Sequence, residues 1–176
     1  MHNKQFTFRR FIESDADILF DEFMKYCRTN IQPYFSGVGI GSEKQRFGEE
    51  IQKFSHKQHH PPIIANAKGL PIGIYRITYR HSNCYHELFI HLWEEKDLTK
   101  AILNEIITQV LHKEHPEGSI LIEVPGYAPE LKQASVDLGL PLAGTIPNYL
   151  CHDDKLYHKY YYVITSSKWH SAKKEL

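Results

Sequence analysis

The chain has 176 residues, of which 41% are hydrophobic and 24% are charged, with 21 Lys and Arg balanced by 21 Asp and Glu. This length suits one domain with a sizeable core, and the composition excludes an intrinsically disordered chain. Because the net charge is zero, nucleic acid and an anionic membrane are not predicted as partners. The sequence shows no secretory leader pattern and no apolar run of membrane-spanning length, so a cytoplasmic location is expected.

The three cysteines, Cys27, Cys84 and Cys151, are odd in number and widely spaced. They match neither a complete disulfide framework nor the paired spacing of a zinc site. The chain has 12 histidines, but the sequence contains no HExxH motif. No metal site is predicted.

In the first half of the chain, alternating apolar residues predict strands and apolar residues at helical spacing predict helices. Ser14, followed three residues later by Asp17, resembles a capping box that starts the first helix. A stretch rich in Gly and Pro, residues 31–41, is predicted to be a loop. The predicted elements are a strand over 5–11, helices over 14–27 and 42–54, and strands over 63–67, 71–79 and 85–93.

The second half continues with the same two patterns. Its predicted elements are a helix over 97–112, a strand over 119–124, a helix over 129–138, strands over 142–150 and 157–165, and a polar tail from 166 that is expected to fray. Strands joined through a helix pair in parallel and hairpin strands pair antiparallel. The prediction is one α/β (α+β) domain over 1–165, with a mixed, mostly antiparallel sheet of about seven strands flanked by about four helices.

This order of elements resembles the GNAT superfamily of acyl-CoA-dependent N-acyltransferases over residues 5–165. The local matches are residues 9–23, a first strand running into a helix; 69–77, a central hairpin containing Gly73; 87–107, a fourth strand and its helix; and 136–140, Val-Asp-Leu-Gly-Leu, the end of the last helix. The resemblance implies acetyl-CoA as co-substrate and an amine, on a small molecule or a peptide, as acceptor. The sequence does not determine the oligomeric state, and a homodimer is one assembly that it leaves open.

The segment that binds pyrophosphate in this family differs in this chain. The family motif, R/Q-x-x-G-x-G/A, lets backbone N–H groups close on a pyrophosphate at a helix N-terminus. Here the stretch is Glu94-Glu95-Lys96-Asp97-Leu98-Thr99, with Asp97 and Thr99 at the glycine positions. Its carboxylates repel a diphosphate, and Lys96 and Lys100 offset them in part. The resemblance places the cofactor-binding residues at Leu92, Trp93, Glu94, Lys96, Asp97, Leu98, Thr99 and Lys100.

Acylation of an amine requires a base, because an ammonium has no lone pair until its proton leaves. In the strand over 85–93, alternation places Glu87, Phe89, His91 and Trp93 on one face. In the family this strand lies beside the acyl group, so Glu87 or His91 is predicted to be the catalytic base. The alternative is a solvent-exposed strand face with satisfied polar side chains.

Other candidate residues concern the leaving group and the acceptor. Many members of the family carry a Tyr, thought to reprotonate the CoA thiolate, where this chain has Ser135. Tyr127, Tyr149 or water are the alternative proton donors. Candidate acceptor-binding residues are Tyr34 and Phe35 in the Gly-rich loop, together with Glu123 and Tyr149.

The sequence therefore predicts an enzyme that transfers an acetyl group from acetyl-CoA to a primary amine by direct attack. The alternative is a GNAT-fold protein that has lost this chemistry and serves as a binding or partner domain. The altered loop and Ser135 favour the alternative, whereas the polar strand face at Glu87 favours the enzyme.

Overall fold

The structure is a computed structural model that describes residues 5–26, 47–49, 52–53, 62–80, 85–113, 118–152 and 154–174. The strands are β1 (Phe6–Arg9), β2 (Ile63–Asn66), β3 (Pro71–Arg80), β4 (Tyr85–Leu92), β5 (Ser119–Pro125), β6 (Leu142–His152) and β7 (Lys155–Thr165). The helices are α1 (Ala16–Tyr26), α2 (Thr99–Lys113), α3 (Pro129–Asp137) and α4 (Ser166–Lys174), and residues 47–49 and 52–53 are also helical. No helix in these ranges combines the length and apolarity needed to cross a membrane.

The seven strands form one mixed sheet in the order β1-β2-β3-β4-β5-β7-β6. β4 and β5 run parallel because α2 connects them, and their ladder extends from Tyr85 opposite Ser119 to Leu88 opposite Ile122. The pairs β1–β2, β2–β3, β5–β7 and β6–β7 are antiparallel. The predicted α/β fold with a mostly antiparallel sheet of seven strands is confirmed.

The chain divides into two compact units, and β3 and β4 contribute residues to both. The first unit comprises Met1–Arg76 and Ile90–Glu94, and the second comprises Ile77–Phe89 and Glu95–Leu176. In the first unit, the core forms around β2 and β3, whose branched apolar residues favour strands. Its fully buried side chains are Leu19, Phe47, Ile63, Ile64, Ile72 and Tyr75.

The start of α1 is fixed by Asp15 rather than by the predicted cap Ser14. A 3₁₀ turn, Glu13–Asp15, precedes the helix. The buried Asp15 carboxylate accepts the backbone N–H of Ile12 (3.0 Å) and both guanidinium N–H groups of Arg9 (2.6 and 2.7 Å). Arg9 also donates to the carbonyl oxygen of Gly69 (2.8 Å), so one side chain joins β1, this turn and the β2–β3 hairpin.

In the second unit, α2 supplies a wide apolar face, as the sequence predicts. Its buried residues are Ile102, Leu103, Ile106, Ile107, Val110 and Leu111. Ile120, Ile122 and Val124 alternate along β5 and are buried as well. The residues between them in β5 are half-buried and belong to the other face of the sheet.

The expectation that the tail frays from residue 166 is wrong, because Ser166–Lys174 forms α4. Trp169 is 4% exposed, and its indole N–H donates to the hydroxyl of Thr108 in α2 (3.3 Å). At the start of the helix, the Thr165 hydroxyl accepts the backbone N–H of Lys168 (3.4 Å). One aromatic anchor and one cap therefore hold a segment that is otherwise polar.

β6 is the last strand in the sheet order, and its ladder with β7 is interrupted. The register shifts between Leu142 and Gly144 and again between Ile146 and Leu150. Asn148, inside the second shift, has a left-handed backbone with φ of 50°. Leu142, Ile146 and Tyr149 are exposed along this strand.

Candidate functional site

One face of the sheet in the second unit carries polar side chains. Glu87 lies opposite Leu121 in the parallel ladder, and Glu123 lies opposite Tyr161 in the antiparallel ladder. Opposed residues share a face and side chains alternate along each strand. This face is here called the polar face, and its polar side chains include those of Tyr85, Glu87, Glu123, Lys159 and Tyr161.

The Glu87 carboxylate is half-buried in β4 and accepts a hydrogen bond from the Tyr85 hydroxyl (3.3 Å). The β4–β5 ladder ends at Leu88 and Ile122, one residue beyond Glu87. Glu123 is the first residue of β5 after that end, so the two carboxylates lie on either side of it on the same face. A carboxylate in this position is chemically able to take a proton from an ammonium group.

Glu123 forms an ion pair with Lys159 of β7, and the two side chains are only 14% and 12% exposed. The Lys159 nitrogen lies 5.2 Å from the ring centroid of Tyr149 and 5.3 Å from that of Tyr161. Burial by itself lowers the pKa of Lys159, but the hydrogen bond and charge of Glu123, with those of Tyr161, outweigh it and raise that pKa above its ordinary value. Lys159 is therefore a stable ammonium held by a carboxylate and two aromatic rings.

His91 follows Glu87 by four residues on β4 and so has the same place in the strand's alternation. Its side chain is half-buried, and its ring centroid lies 5.9 Å from that of Trp93. His91 belongs to the first unit and Glu87 to the second.

The end of β4 is tied to β3 through its backbone. The N–H groups of Trp93 and Glu94 both donate to the carbonyl oxygen of Ile72 (3.1 and 3.3 Å), and the Trp93 indole N–H donates to Pro71 (3.2 Å). The half-buried Leu92 lies against Gly73, where an added Cβ would clash with the Leu92 side chain. The amide donors of Trp93 and Glu94 are thus engaged within the chain.

The start of α2 differs from a glycine loop in its backbone. A 3₁₀ turn, Lys96–Leu98, precedes the helix, and the left-handed residue is Glu95, with φ of 49°. The residue at the second glycine position, Thr99, has φ of −52° and is buried. Its backbone N–H and its hydroxyl both donate to the Lys96 carbonyl, and the Leu98 N–H donates to Glu95 (2.9 Å).

The charged side chains around this turn face solvent. Those of Glu94, Glu95, Asp97 and Lys100 are exposed. Lys96 is exposed as well, and its ammonium lies 3.9 Å from a carboxylate oxygen of Glu130 in α3. The segment from Glu94 to Lys100 therefore carries three carboxylates and two ammonium groups, and one of the ammonium groups, that of Lys96, already lies near a fourth carboxylate.

Ser135, at the position where many GNAT proteins have Tyr, is fully buried in α3. Its hydroxyl donates to the carbonyl oxygen of Leu131 (2.8 Å), one turn earlier in the helix. Tyr127, an alternative donor, stacks on His152 with ring centroids 4.4 Å apart and meets Tyr157 edge to face at 5.8 Å. The hydroxyl proton of Ser135 is thus engaged in a hydrogen bond to the helix backbone.

Among the predicted acceptor residues, Glu123 and Tyr149 lie together around Lys159, whereas Tyr34 and Phe35 lie outside the described residues. The sequence patterns did not predict a functional role for Lys159. The feature that could have indicated one is a single lysine in a predicted central strand, within the aromatic run Tyr157-His158-Lys159-Tyr160-Tyr161-Tyr162. A charge at such a position needs a partner.

Comparison with known proteins gave matches only among solved structures, since no protein-family model and no curated protein matched the chain. A spermidine/spermine N-acetyltransferase, SpeG, from Vibrio cholerae superposes with a TM-score of 0.70 at 13% identity, covering 96% of this chain and 98% of that one. A GNAT-family acetyltransferase from Bacillus anthracis gives 0.66 at 13% identity, covering 93% and 96%. The chain has the GNAT fold.

A dodecameric spermidine N-acetyltransferase from Vibrio cholerae matches equally well, with a TM-score of 0.70 at 13% identity over 94% of this chain and 96% of that one. The resemblance seen in the sequence is thereby confirmed at the level of the fold. At this identity the likeness concerns the architecture alone and assigns no role to an individual residue.

Proposed function

We propose that this protein is an N-acetyltransferase that moves the acetyl group of acetyl-CoA to a primary amine by direct attack. The amine nitrogen bonds to the acetyl carbon and releases a proton, the thioester C–S bond breaks, and CoA leaves as a thiolate that takes up a proton. The GNAT fold, shared with acetyltransferases over more than nine-tenths of the chain, supports this reaction class and one acyltransferase domain over 1–165. The observation that carries the proposal to this chain is the half-buried Glu87 carboxylate on the polar face.

Glu87 takes the proton of the substrate ammonium, which frees the nitrogen lone pair for attack. The hydrogen bond from Tyr85 holds the Glu87 carboxylate in a fixed orientation. Glu87 also lies at the end of the parallel ladder, next to the part of β5 that no longer pairs with β4. His91 is the alternative base, since it has the same alternation on β4.

Acetyl-CoA is proposed to lie along the segment from Leu92 to Lys100. The Trp93, Glu94, Leu98 and Thr99 backbone N–H groups already donate within the chain, so the phosphates rely on Lys96, Lys100 and the dipole of α2. The carboxylates of Glu94, Glu95 and Asp97 oppose this attraction. Weak CoA binding is therefore expected.

The departing thiolate is proposed to take its proton from Tyr127, Tyr149 or water. Ser135 is a poor donor for this step because its hydroxyl proton is already bound to the Leu131 carbonyl. A thiol of ordinary pKa near 8.5 leaves readily at neutral pH with only solvent as proton source.

The direct test is thiol release from acetyl-CoA in the presence of a panel of primary amines, including spermidine because of the neighbours named for it. Glu87→Gln should lower kcat by roughly 10²–10⁴-fold, the usual contribution of a general base. Asp137→Asn, which removes an exposed carboxylate from α3, is the matched control and should leave kcat unchanged. Full activity of Glu87→Gln together with loss in His91→Gln would assign the base to His91.

The second candidate function is a binding domain without acetyl transfer. Engagement of the Leu98 and Thr99 amides within the 3₁₀ turn favours it, because a diphosphate would have fewer donors to bind. Calorimetry with acetyl-CoA separates the two: no binding at millimolar concentration, and no thiol release with any amine, would support the binding domain.

A further inference from the structure

Lys159 contacts Glu123, which is a neighbour of Glu87 on the polar face. It precedes Tyr161 by two residues on β7, and Tyr161 is the register partner of Glu123. Glu123 lies two residues beyond Leu121, the register partner of Glu87 in β5. Standard strand spacing places the Cα atoms of Glu87 and Glu123 roughly 8 Å apart. Because the Lys159 ammonium contacts the Glu123 carboxylate, it occupies the same part of the polar face.

The surroundings of this ammonium are those of a site for an organic cation. The Glu123 carboxylate supplies the opposite charge, and the rings of Tyr149 and Tyr161 lie 5.2 and 5.3 Å from the nitrogen. Carboxylates and aromatic rings are the groups with which proteins hold alkylammonium ligands. Here the chain fills the position with its own lysine.

The lysine remains charged and in place at neutral pH. Its pKa lies above the ordinary value, and both members of the ion pair are nearly nine-tenths buried. Removing one partner would leave an unpaired charge that water solvates poorly, so the pair resists separation by a competing cation. A second ammonium on an acceptor would meet the Lys159 charge and a carboxylate that is already neutralised.

We propose that Lys159 determines acceptor specificity: by occupying the cation position between Glu123, Tyr149 and Tyr161, it disfavours acceptors with a second ammonium and selects primary monoamines. Specificity arises here from a repulsive element as well as from attraction. The inference rests on the proposed acetyl transfer and names its acceptor class. It separates this chain from its structural neighbours named for spermidine, which is a polycation.

The test compares hexylamine with hexamethylenediamine, two acceptors of equal chain length that differ in the second amine. For the wild type, kcat/KM should be at least tenfold higher with hexylamine. Lys159→Met makes Glu123 available, and the ratio should move at least tenfold towards the diamine. Lys159→Arg keeps the positive charge and should keep the preference, and Lys159→Met with Glu123→Gln should show no gain for the diamine.

A second readout needs no turnover. Calorimetry should show that Lys159→Met binds hexamethylenediamine at least tenfold more tightly than the wild type does. Equal affinities, or a wild-type kcat/KM that favours the diamine, would overturn the inference, and the wild-type ratio decides the matter if Lys159→Met does not fold. Absence of thiol release with every amine would instead overturn the proposed acetyl transfer, and the binding comparison would still decide the role of Lys159.

Discussion

The Ser135 hydroxyl donates a hydrogen bond to the Leu131 carbonyl oxygen, 2.8 Å away inside α3. Because this proton stays within the helix, Ser135→Ala should change kcat of acetyl transfer by less than about fivefold, the equivalent of one hydrogen bond of roughly 1 kcal/mol. Ser135→Tyr should overpack a fully buried position and lower the free energy of unfolding by about 1–3 kcal/mol. Thiol-release kinetics and urea unfolding measure the two effects. A loss of several thousandfold in Ser135→Ala would contradict this assignment.

Asp97 is exposed at the turn before α2, where the CoA diphosphate is proposed to bind. Asp97→Asn removes one negative charge and no buried contact, so CoA should bind about two- to fivefold more tightly. The gain should shrink at high salt, because exposed charges are screened. Calorimetry with CoA measures it, and Asp137→Asn is the control for a general change in net charge. Thr99→Gly is a poor probe, since it removes the buried hydroxyl that binds the Lys96 carbonyl.

Arg9 balances the buried Asp15 carboxylate with two hydrogen bonds. Arg9→Ala leaves that charge without its cation and should lower the free energy of unfolding by about 3 kcal/mol. Arg9→Lys keeps the charge but loses the bidentate geometry, so an intermediate loss is expected. Urea unfolding followed by circular dichroism ranks the three proteins. Equal stability of Arg9→Ala and the wild type would show that water replaces the guanidinium.

The Glu123–Lys159 ion pair should make stability depend on alkaline pH. The folded-state pKa of Lys159 is raised above its ordinary value of 10.5, so the stabilisation is complete below that pH and is lost as pH rises through the folded-state pKa. A difference of one pKa unit between the folded and unfolded states corresponds to about 1.4 kcal/mol of unfolding free energy. Unfolding in urea at several pH values on either side of 10.5 should show a steeper loss above 10.5 for the wild type than for Lys159→Met with Glu123→Gln. Parallel curves would mean that the pair contributes nothing.

Gly73 sits where β3 and β4 approach closely. A Cβ at this position would lie 2.7 Å from the backbone oxygen of His91 as well as against Leu92. Gly73→Ala should therefore cost about 1–3 kcal/mol of unfolding free energy. Gly144→Ala is the matched control, because a Cβ there would meet no heavy atom of the described chain within 4 Å. Similar midpoints of urea unfolding for the two variants would contradict the close approach.

Strands and the central helix were predictable because their signals are local. The apolar alternation around Ile72 and Ile74 predicted β3, and the wide apolar face from Ile102 to Leu111 predicted α2 within two residues of its observed ends. Glu87 and His91 both lie in β4, the strand that the alternation of residues predicted there.

The remaining features depend on contacts between residues far apart in sequence. α4 is stabilised by Trp169, whose partner Thr108 lies 61 residues earlier, so the local polarity of the tail predicted fraying instead. The Glu123–Lys159 pair depends on the β5–β7 register, which hydrophobic periodicity does not determine. Asp15, and not the predicted cap Ser14, accepts the backbone hydrogen bond at the turn before α1. Its carboxylate is held in place by Arg9, which is again a tertiary contact.

The interrupted register of β6 bears on how the protein behaves at high concentration. An outermost strand with exposed Leu142, Ile146 and Tyr149 is a template on which another chain could add and begin to aggregate. The two register shifts and the left-handed Asn148 break this template, leaving only short regular stretches such as Gly144–Ile146. A kinked edge pairs poorly with an incoming strand. The same irregularities that look like defects in the ladder therefore protect the molecule from edge-to-edge association.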